Sequence, residues 1–271
     1  MEVNQTYWLD ERHPNFKRWE QARNISRERG RFVKTLTSQI ITCKNLNVLD
    51  LGSGEGGTSE MFSDENFVVS FDLSKVRLNR QSKLIKNKIC GNSSLFPFKK
   101  NSFDLIIMQD VMEHLDYNPE ISDHLFELLK TDGLIYLSTP NRSSIINLIA
   151  DPHWGFPIVS LFNRNQLRKY FLRVFRITEV NRNDIAELLS LKKLTDLFSN
   201  KFELRLNTTF ALKELLNGNQ GIAWSRFHLG MILLIRKLRL NNILLAISND
   251  RIGIVNKYLT PAFYFILFKR K

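Results

Sequence analysis

Residues 48–57 read VLDLGSGEGG, an apolar run that ends in four glycines with two carboxylates, Asp50 and Glu55, set among them. The run behaves as a buried strand, and the segment that follows, TSEMF, is compatible with a helix. Gly52, Gly54 and Gly57 satisfy the G-x-G-x-x-G spacing, which on its own is shared by several nucleotide binders. A second apolar run, FVVSF (67–71), ends at Asp72, twenty residues past Gly52. A carboxylate at that place accepts hydrogen bonds from ribose hydroxyls in a strand–loop–helix–strand layout. Asp72 also has an ordinary reading as the cap of a helix over KVRLNRQ, with Ser74 competing for the cap.

Charge separates the candidate ligands. A dinucleotide brings a pyrophosphate to the glycine turn, where Asp50 and Glu55 repel it. S-adenosylmethionine carries no phosphate and presents an ammonium and a sulfonium, which the same carboxylates favour. The glycines allow close backbone approach, and Asp50 at the strand end is placed to hold the ammonium directly or through water.

The pattern around the loop sets the fold class. Short apolar runs at 47–51, 67–71, 86–90, 103–108 and 133–138 alternate with helix-compatible stretches, which predicts an α/β domain with a parallel sheet covered on both faces. RNISRERGRFVKTL places Ile25, Phe32, Val33 and Leu36 on one face of a leading helix. NPEISDHLFELLKTDG puts Ile121, Leu125, Leu128 and Leu129 on one stripe, with Gly133 as the expected stop.

VLDLGSGEG, then FDLS, then CGNSSLFPFKKNSFDLIIMQDVMEHL, then LLKTDGLIYLSTPNR resembles the successive motifs of class I S-adenosylmethionine-dependent methyltransferases, nearest to the group with the quinone-biosynthesis enzymes and their small-molecule relatives. The resemblance covers about residues 45–181 and the C-terminal strand. It implies a doubly wound, Rossmann-like seven-stranded sheet with an antiparallel last strand, TPAFYFILFKRK (260–271) being that strand and FRITEVNR (175–182) the one before it. It implies that Asp50, Gly52, Ser53, Gly54 and Gly56 line the methionine end of the cofactor. Asp72 and Leu73 then lie at the ribose, and Asn92, Ser93, Leu95 and Phe96 around the adenine, with Gln109 and Asp110 near the methionine portion and the entering substrate. The family commonly has Asp where Asn92 stands, and an amide oxygen accepts from the adenine amino group more weakly than a carboxylate does.

Methyl transfer from a sulfonium asks the enzyme mainly for alignment, and a base is needed only for some nucleophiles. For a hydroxyl acceptor the candidates are His114 in QDVMEHL and His153 in DPHWGFP, each of which can alternatively shape the pocket. No resident metal is expected; the spacing of Asp110, Glu113 and His114 permits a divalent cation without requiring one. The stretch STPNRSSIINLIADPHWGFPIVSLFNRNQLRKYF resembles a sub-group found in cell-surface polysaccharide or glycolipid pathways, which puts Arg142, His153, Trp154 and Arg164 over the cofactor's methyl and suits the arginines to a phosphate or carboxylate.

The organisation expected is a methyltransferase domain over 1–181 and 258–271, with a helical insertion over 182–257 serving as lid, partner contact or membrane-surface element. Helices are expected in NDIAELLSLKKLTDLF, where Asp184 and Glu187 resemble a capping pair, and in TTFALKELLNG, ending at Gly218. RFHLGMILLIRKLRLNNILLAIS is apolar but broken by Arg236, Lys237 and Arg239, too polar to span a bilayer and suited to packing as a lid, docking on a partner subunit as in a homodimer, or lying on a membrane through 222–248.

Bulk composition bounds the rest. The 271 residues carry a net charge of +12, and residues 141–271 hold twenty-one Lys and Arg against eight Asp and Glu, so the basicity belongs to the second half and points to an anionic partner or a solvated surface. The N-terminal residues lack the order of a signal peptide, which suggests a cytoplasmic protein, peripheral at most to the inner face of the membrane. Two cysteines, Cys43 and Cys90, are too few for a disulfide framework and are expected to be buried thiols. The function expected is S-adenosylmethionine-dependent methylation of a small-molecule, lipid-linked or saccharide acceptor, by preference on oxygen. Methylation of RNA and a non-catalytic binding role are the alternatives, and the absence of a catalytic-cysteine or Asn-Pro-Pro-aromatic motif weighs against nucleic acid.

Overall fold

A computed structural model describes residues 9–13, 16–92, 96–115, 120–182, 184–222 and 226–270. Seven strands form one sheet in the order β3-β2-β1-β4-β5-β7-β6: β1 (Asn47–Leu51), β2 (Phe67–Asp72), β3 (Asn87–Cys90), β4 (Phe103–Gln109), β5 (Leu129–Pro140), β6 (Phe202–Leu206) and β7 (Ala262–Lys269). The first five are parallel, and β7 runs antiparallel to both β5 and β6. Chain order reverses at the β1/β4 boundary, so the crevice for a ligand opens beyond the carboxyl ends of those two strands.

Alternation along the strands divides the core between the two faces. Leu49, Met108, Ile135 and Leu137 point to one side, where α5 (Glu120–Leu128) and a later helix pack; Val48, Ile107, Tyr136 and Ile266 point to the other, against α2 (Ser26–Ser38). Both faces of the central strands are apolar because both are covered. Helix α1 (Phe16–Asn24) precedes α2, α3 (Gly57–Ser63) follows the glycine loop, and α4 (Lys75–Arg80) follows Asp72. Ser74 caps α4, its hydroxyl accepting from the Arg77 N–H at 3.3 Å.

Several sequence expectations meet a different arrangement. The strand next to β7 is Phe202–Leu206 and not residues 175–182, which form a turn of 3-10 helix (Ile177–Glu179); there Glu179 is buried and held by Arg182, leaving no alternation for a sheet edge. Residues 182–257 are therefore not a wholly helical insertion, because β6 lies within them and completes the sheet. Helix α5 stops at Leu128 and Gly133 sits inside β5, where an added Cβ would lie 2.9 Å from the Asp104 carbonyl oxygen. Cys90 is exposed, whereas Cys43 is buried.

Beyond β5 the chain forms α6 (Ile145–Ile149), then α7 (Arg164–Gln166) running through a π-helical stretch (Leu167–Leu172) into α8 (Arg173–Phe175). The helix expected from Asp184 begins instead as α9 (Leu191–Phe198), capped by the Ser190 hydroxyl, because Asp184 is drawn to Arg182 and Leu189 makes a parallel bridge to Asn141, just past the end of β5. Helix α10 (Thr208–Leu216) ends before Gly218 at φ +99°, as expected. The apolar run folds as two helices, α11 (Arg226–Lys237) and α12 (Asn241–Ile247), parted at Arg239 with φ +57°, and α13 (Ile254–Tyr258) leads into β7. No helix among the described residues is long and apolar enough to cross a membrane.

Helices α2 and α3 meet at two glycines. An added Cβ on Gly57 would fall 2.3 Å from the carbonyl carbon of Ser26, which is backbone and cannot rotate aside, and one on Gly30 would fall 2.7 Å from the Gly57 oxygen. Gly57→Ala is expected to push the helices apart and lower stability by roughly 2–3 kcal/mol, read by urea denaturation; a loss under about 0.5 kcal/mol would show that this approach is not limiting.

Candidate functional site

The glycine loop turns because three of its residues occupy left-handed backbone space: Gly52 at φ +72°, Gly54 at +53° and Gly56 at +77°. Its start is tied to β2, with the Gly52 and Ser53 N–H groups both donating to the Phe71 carbonyl at 2.8 and 3.1 Å. Its crest is tied to Asp72, whose Oδ2 accepts from the Gly54 N–H and whose Oδ1 accepts from the Ser74 N–H, each at 2.8 Å. Each Asp72 oxygen keeps a lone-pair direction for a further donor, as ribose recognition requires. Around Gly54 the space is open, since an added Cβ would meet only the Gly52 oxygen, at 4.0 Å.

Gln81 supports the loop from below. Its amide nitrogen donates to Ser53 Oγ at 3.0 Å and to the Gly54 carbonyl at 2.9 Å, while its amide oxygen accepts from Ser70 Oγ at 2.8 Å. The sequence carries no signal for this role, because Gln81 falls just after α4 with no motif around it.

Asp50 is 2% exposed and accepts from Ser59 Oγ at 2.6 Å. Burial pushes its carboxyl up to about 6, helped by the neighbouring Asp72 and opposed by the Ser59 hydrogen bonds. A buried carboxylate with one hydroxyl partner gains from a cation, so the residues present fit the ammonium end of S-adenosylmethionine. Glu55 instead faces Arg80.

The second wall comes from the end of β4. Gln109 accepts from Thr58 Oγ1 at 2.7 Å and donates to the Arg29 carbonyl, locking α2 and α3 to the strand end. Asp110 adopts φ +58°, its N–H donating to the Ser138 carbonyl and its Oδ1 accepting from Ser138 Oγ at 2.9 Å, and its other oxygen is paired with Arg29. Both residues stand at the end of β4 with their polar atoms engaged by the protein. Arg29, reaching over from α2, went unnoticed in the sequence because it looks like one charge in a solvated helix.

Just past Asp110, Val111 lies over Gly52, and Glu113 is fully buried with Oε2 accepting from Thr139 Oγ1 at 2.9 Å. Burial pushes the Glu113 carboxyl up, while the charges of His114 and Arg29 and the Thr139 hydrogen bond pull it back. His153 Nε2 stands 4.0 Å from Glu113 Oε1, and the rings of His114 and His153 meet edge to face with centroids 5.5 Å apart. The structure therefore gathers the two histidines, 39 positions apart in the chain, around one buried carboxylate, with ligating atoms within 4.8 Å of one another. Asp110 stands outside this group, held by Arg29 and Ser138. His153 is positioned by Asp151, whose Oδ1 accepts from the N–H groups of His153 and Trp154.

His114 Nδ1 lies 3.1 Å from the Asp184 carbonyl oxygen. A carbonyl only accepts, so Nδ1 carries the proton of the neutral ring and the lone pair is left on Nε2.

Leu73 and Asn92 are exposed beyond the ends of β2 and β3, Phe96 packs near Phe71, and Ser93 and Leu95 lie outside the described residues. Arg164 is not an anion ligand over the cofactor: its guanidinium donates to the carbonyls of Ile185 and Glu113, stitching residues 185–189 to the β4 loop. Arg142 is bonded to the Leu161 carbonyl and faces Glu187, and Trp154 is buried in a third apolar cluster with Leu167, Phe171 and Leu172.

Comparison with known proteins gives consistent findings. A sequence family described as a methyltransferase domain matches residues 7–199. An uncharacterised protein of Methanocaldococcus jannaschii is 34% identical over 103 residues, 38% of this chain and 44% of that protein. The mitochondrial ubiquinone biosynthesis O-methyltransferase of Candida albicans is 30% identical over 118 residues, 40% of this chain and 36% of that enzyme. The chain thus spans less than half the length of these curated relatives. A crystal structure from Thermotoga maritima, described as an S-adenosylmethionine-dependent methyltransferase and possible histamine N-methyltransferase, has a similar fold, with TM-score 0.54 at 14% identity over 94% of this chain and 95% of that one.

The raised Asp50 value sets a pH window. As pH falls through about 6, Asp50 in the free protein takes up a proton, while the bound ammonium requires the carboxylate. S-adenosylmethionine affinity is expected to weaken roughly tenfold between pH 7 and pH 5, and Asp50→Asn to remove that dependence, both read by calorimetric titration. A flat profile in the unaltered protein would contradict the ammonium contact.

Proposed function

The chain belongs to the methyltransferase-domain family, with S-adenosylmethionine as its cofactor, and on that premise we propose that it methylates a hydroxyl oxygen of a small-molecule or lipid-linked acceptor with His114 as the base. When bound, the cofactor would supply an electrophilic methyl on a sulfonium: the acceptor oxygen would bond to that carbon in line as the carbon–sulfur bond breaks, the sulfur leaving with the electron pair as S-adenosylhomocysteine. The chain's own residues bind and align it: the glycine loop and Asp50 hold the amino-acid end, and Asp72 holds the ribose.

The contact between His114 Nδ1 and the Asp184 carbonyl carries the reading. It leaves a basic Nε2 on a histidine at the edge of the crevice, five residues beyond the end of β4. As the hydroxyl oxygen forms its bond to the methyl carbon, its proton passes to Nε2, and the ring becomes an imidazolium. Glu113 stabilises that charge, being buried beside it with one oxygen fixed by Thr139. His153, held by Asp151 and facing the same carboxylate, closes the pocket wall. This arrangement resembles a base with an orienting partner, which supports a proton-bearing nucleophile such as a hydroxyl over a carbon that is already nucleophilic.

A panel of phenolic and sugar alcohols, each paired with its ready-made methyl ether, tests the assignment by mass spectrometry. The free hydroxyl is expected to gain one methyl and the ether none; methylation of both would mean transfer to another atom. On a productive acceptor, His114→Ala is expected to lower kcat by about 10²-fold or more with S-adenosylmethionine affinity unchanged, and equal rates for the two proteins would remove His114 from the chemistry.

A further inference from the structure

Ten of the twenty-two large hydrophobic residues exposed among the described residues fall between Phe227 and Leu259. Helix α12 buries no residue, and among the described side chains of α11 only His228 is buried. Leu233 is 64% exposed, Leu234 55%, Leu238 56%, Ile243 55% and Ile254 77%. A soluble monomer does not leave a stripe of this kind uncovered without a use for it.

The charges in the same stretch identify the occupant. Residues 226–259 carry six Lys and Arg and one acid, Asp250. The acid is occupied, accepting from the Thr209 N–H at 2.9 Å. Arg236, Lys237, Arg239, Arg251 and Lys257 are exposed and form no ion pair among the described residues. Apolar side chains flanked by uncompensated cations match a surface with hydrocarbon beneath and negative charge above, which is an anionic bilayer.

The surface is also held in place. Asn256 is fully buried; its amide nitrogen donates to the Asn249 and Arg251 carbonyls at 2.7 and 2.8 Å, and its amide oxygen accepts from Thr208 Oγ1 at 2.6 Å. Asn141, just past the end of β5, donates to the carbonyls of Asn256, Lys257 and Thr260. Ser138 and Thr139, the residues of β5 that fix Asp110 and Glu113, lie three and two positions before it. The exposed segment therefore stands at the same end of the sheet as the crevice.

We propose that α11, α12 and residues 251–259 form a docking surface for an anionic lipid bilayer, presenting the crevice to acceptors dissolved in or anchored to it. The surface stands independently of which acceptor atom is methylated. The test is co-sedimentation of the full chain with vesicles of phosphatidylcholine and phosphatidylglycerol at 3:1, against vesicles of phosphatidylcholine alone. Binding to the mixed vesicles, little to the neutral ones, and a fall of several-fold between about 0.1 and 0.5 M salt are expected. The combined variant Leu234→Ser, Leu238→Ser, Ile243→Ser and the combined variant Arg236→Gln, Lys237→Gln, Arg239→Gln should each bind the mixed vesicles at least tenfold more weakly. Both should keep unchanged S-adenosylmethionine affinity by calorimetry, which shows that they are folded and separates this surface from the cofactor site. Absence of binding to the mixed vesicles, equal binding to neutral ones, or full binding by either variant would overturn the proposal. So would a vesicle-free dimer that the leucine variant dissociates, because the occupant would then be a second copy of the chain.

Discussion

The hydrogen bond from the Gly54 N–H to Asp72 is the contact on which the rest of the site depends. It joins the crest of the β1 loop to the end of β2, and it exists only because Gly52, Gly54 and Gly56 can hold left-handed backbone angles. With that turn fixed, α3 starts at Gly57 close enough to α2 for backbone to touch backbone. The loop then exposes no cation of its own and sits between two buried carboxylates, Asp50 and Asp72. A pyrophosphate finds no partner there, whereas a zwitterionic amino acid with a sulfonium does. Cofactor choice thus follows from where the acids stand relative to the glycines.

The opposite wall is built on similar lines. Ser138 and Thr139 at the end of β5 hold Asp110 and Glu113 across the strand gap, and Arg164 ties residues 185–189 to the same loop. These contacts use most of the polar atoms near the crevice for positioning, which leaves few groups for chemistry. His114 is singled out because its Nδ1 is engaged by a carbonyl and its Nε2 is not specified by that contact. Glu113, buried next to His114, is held through one oxygen by Thr139.

What could be read in the sequence was local and periodic. The five parallel strands, the leading helix, the final strand, and the placing of Asp50, the glycines and Asp72 all rest on patterns spanning fewer than about thirty residues. RITEV reads as a strand by composition, while the true sixth strand, FELRL, hides among helices with only Phe202 and Leu206 buried. Its identity is settled by pairing with β7, more than fifty residues later, which no window can show. The gathering of Glu113, His114 and His153 is hidden for the same reason. Arg164 looks like an anion ligand in the sequence because the carbonyls of Ile185 and Glu113 that it serves come from distant segments.

A glycine turn carrying carboxylates favours a cationic, phosphate-free cofactor. Calorimetric titration of the chain with S-adenosylmethionine, S-adenosylhomocysteine and NAD under one set of conditions tests that preference. Dissociation constants in roughly the micromolar range are expected for both sulfur ligands, with no heat of binding for NAD. Binding of NAD, or silence from both sulfur ligands, would contradict it.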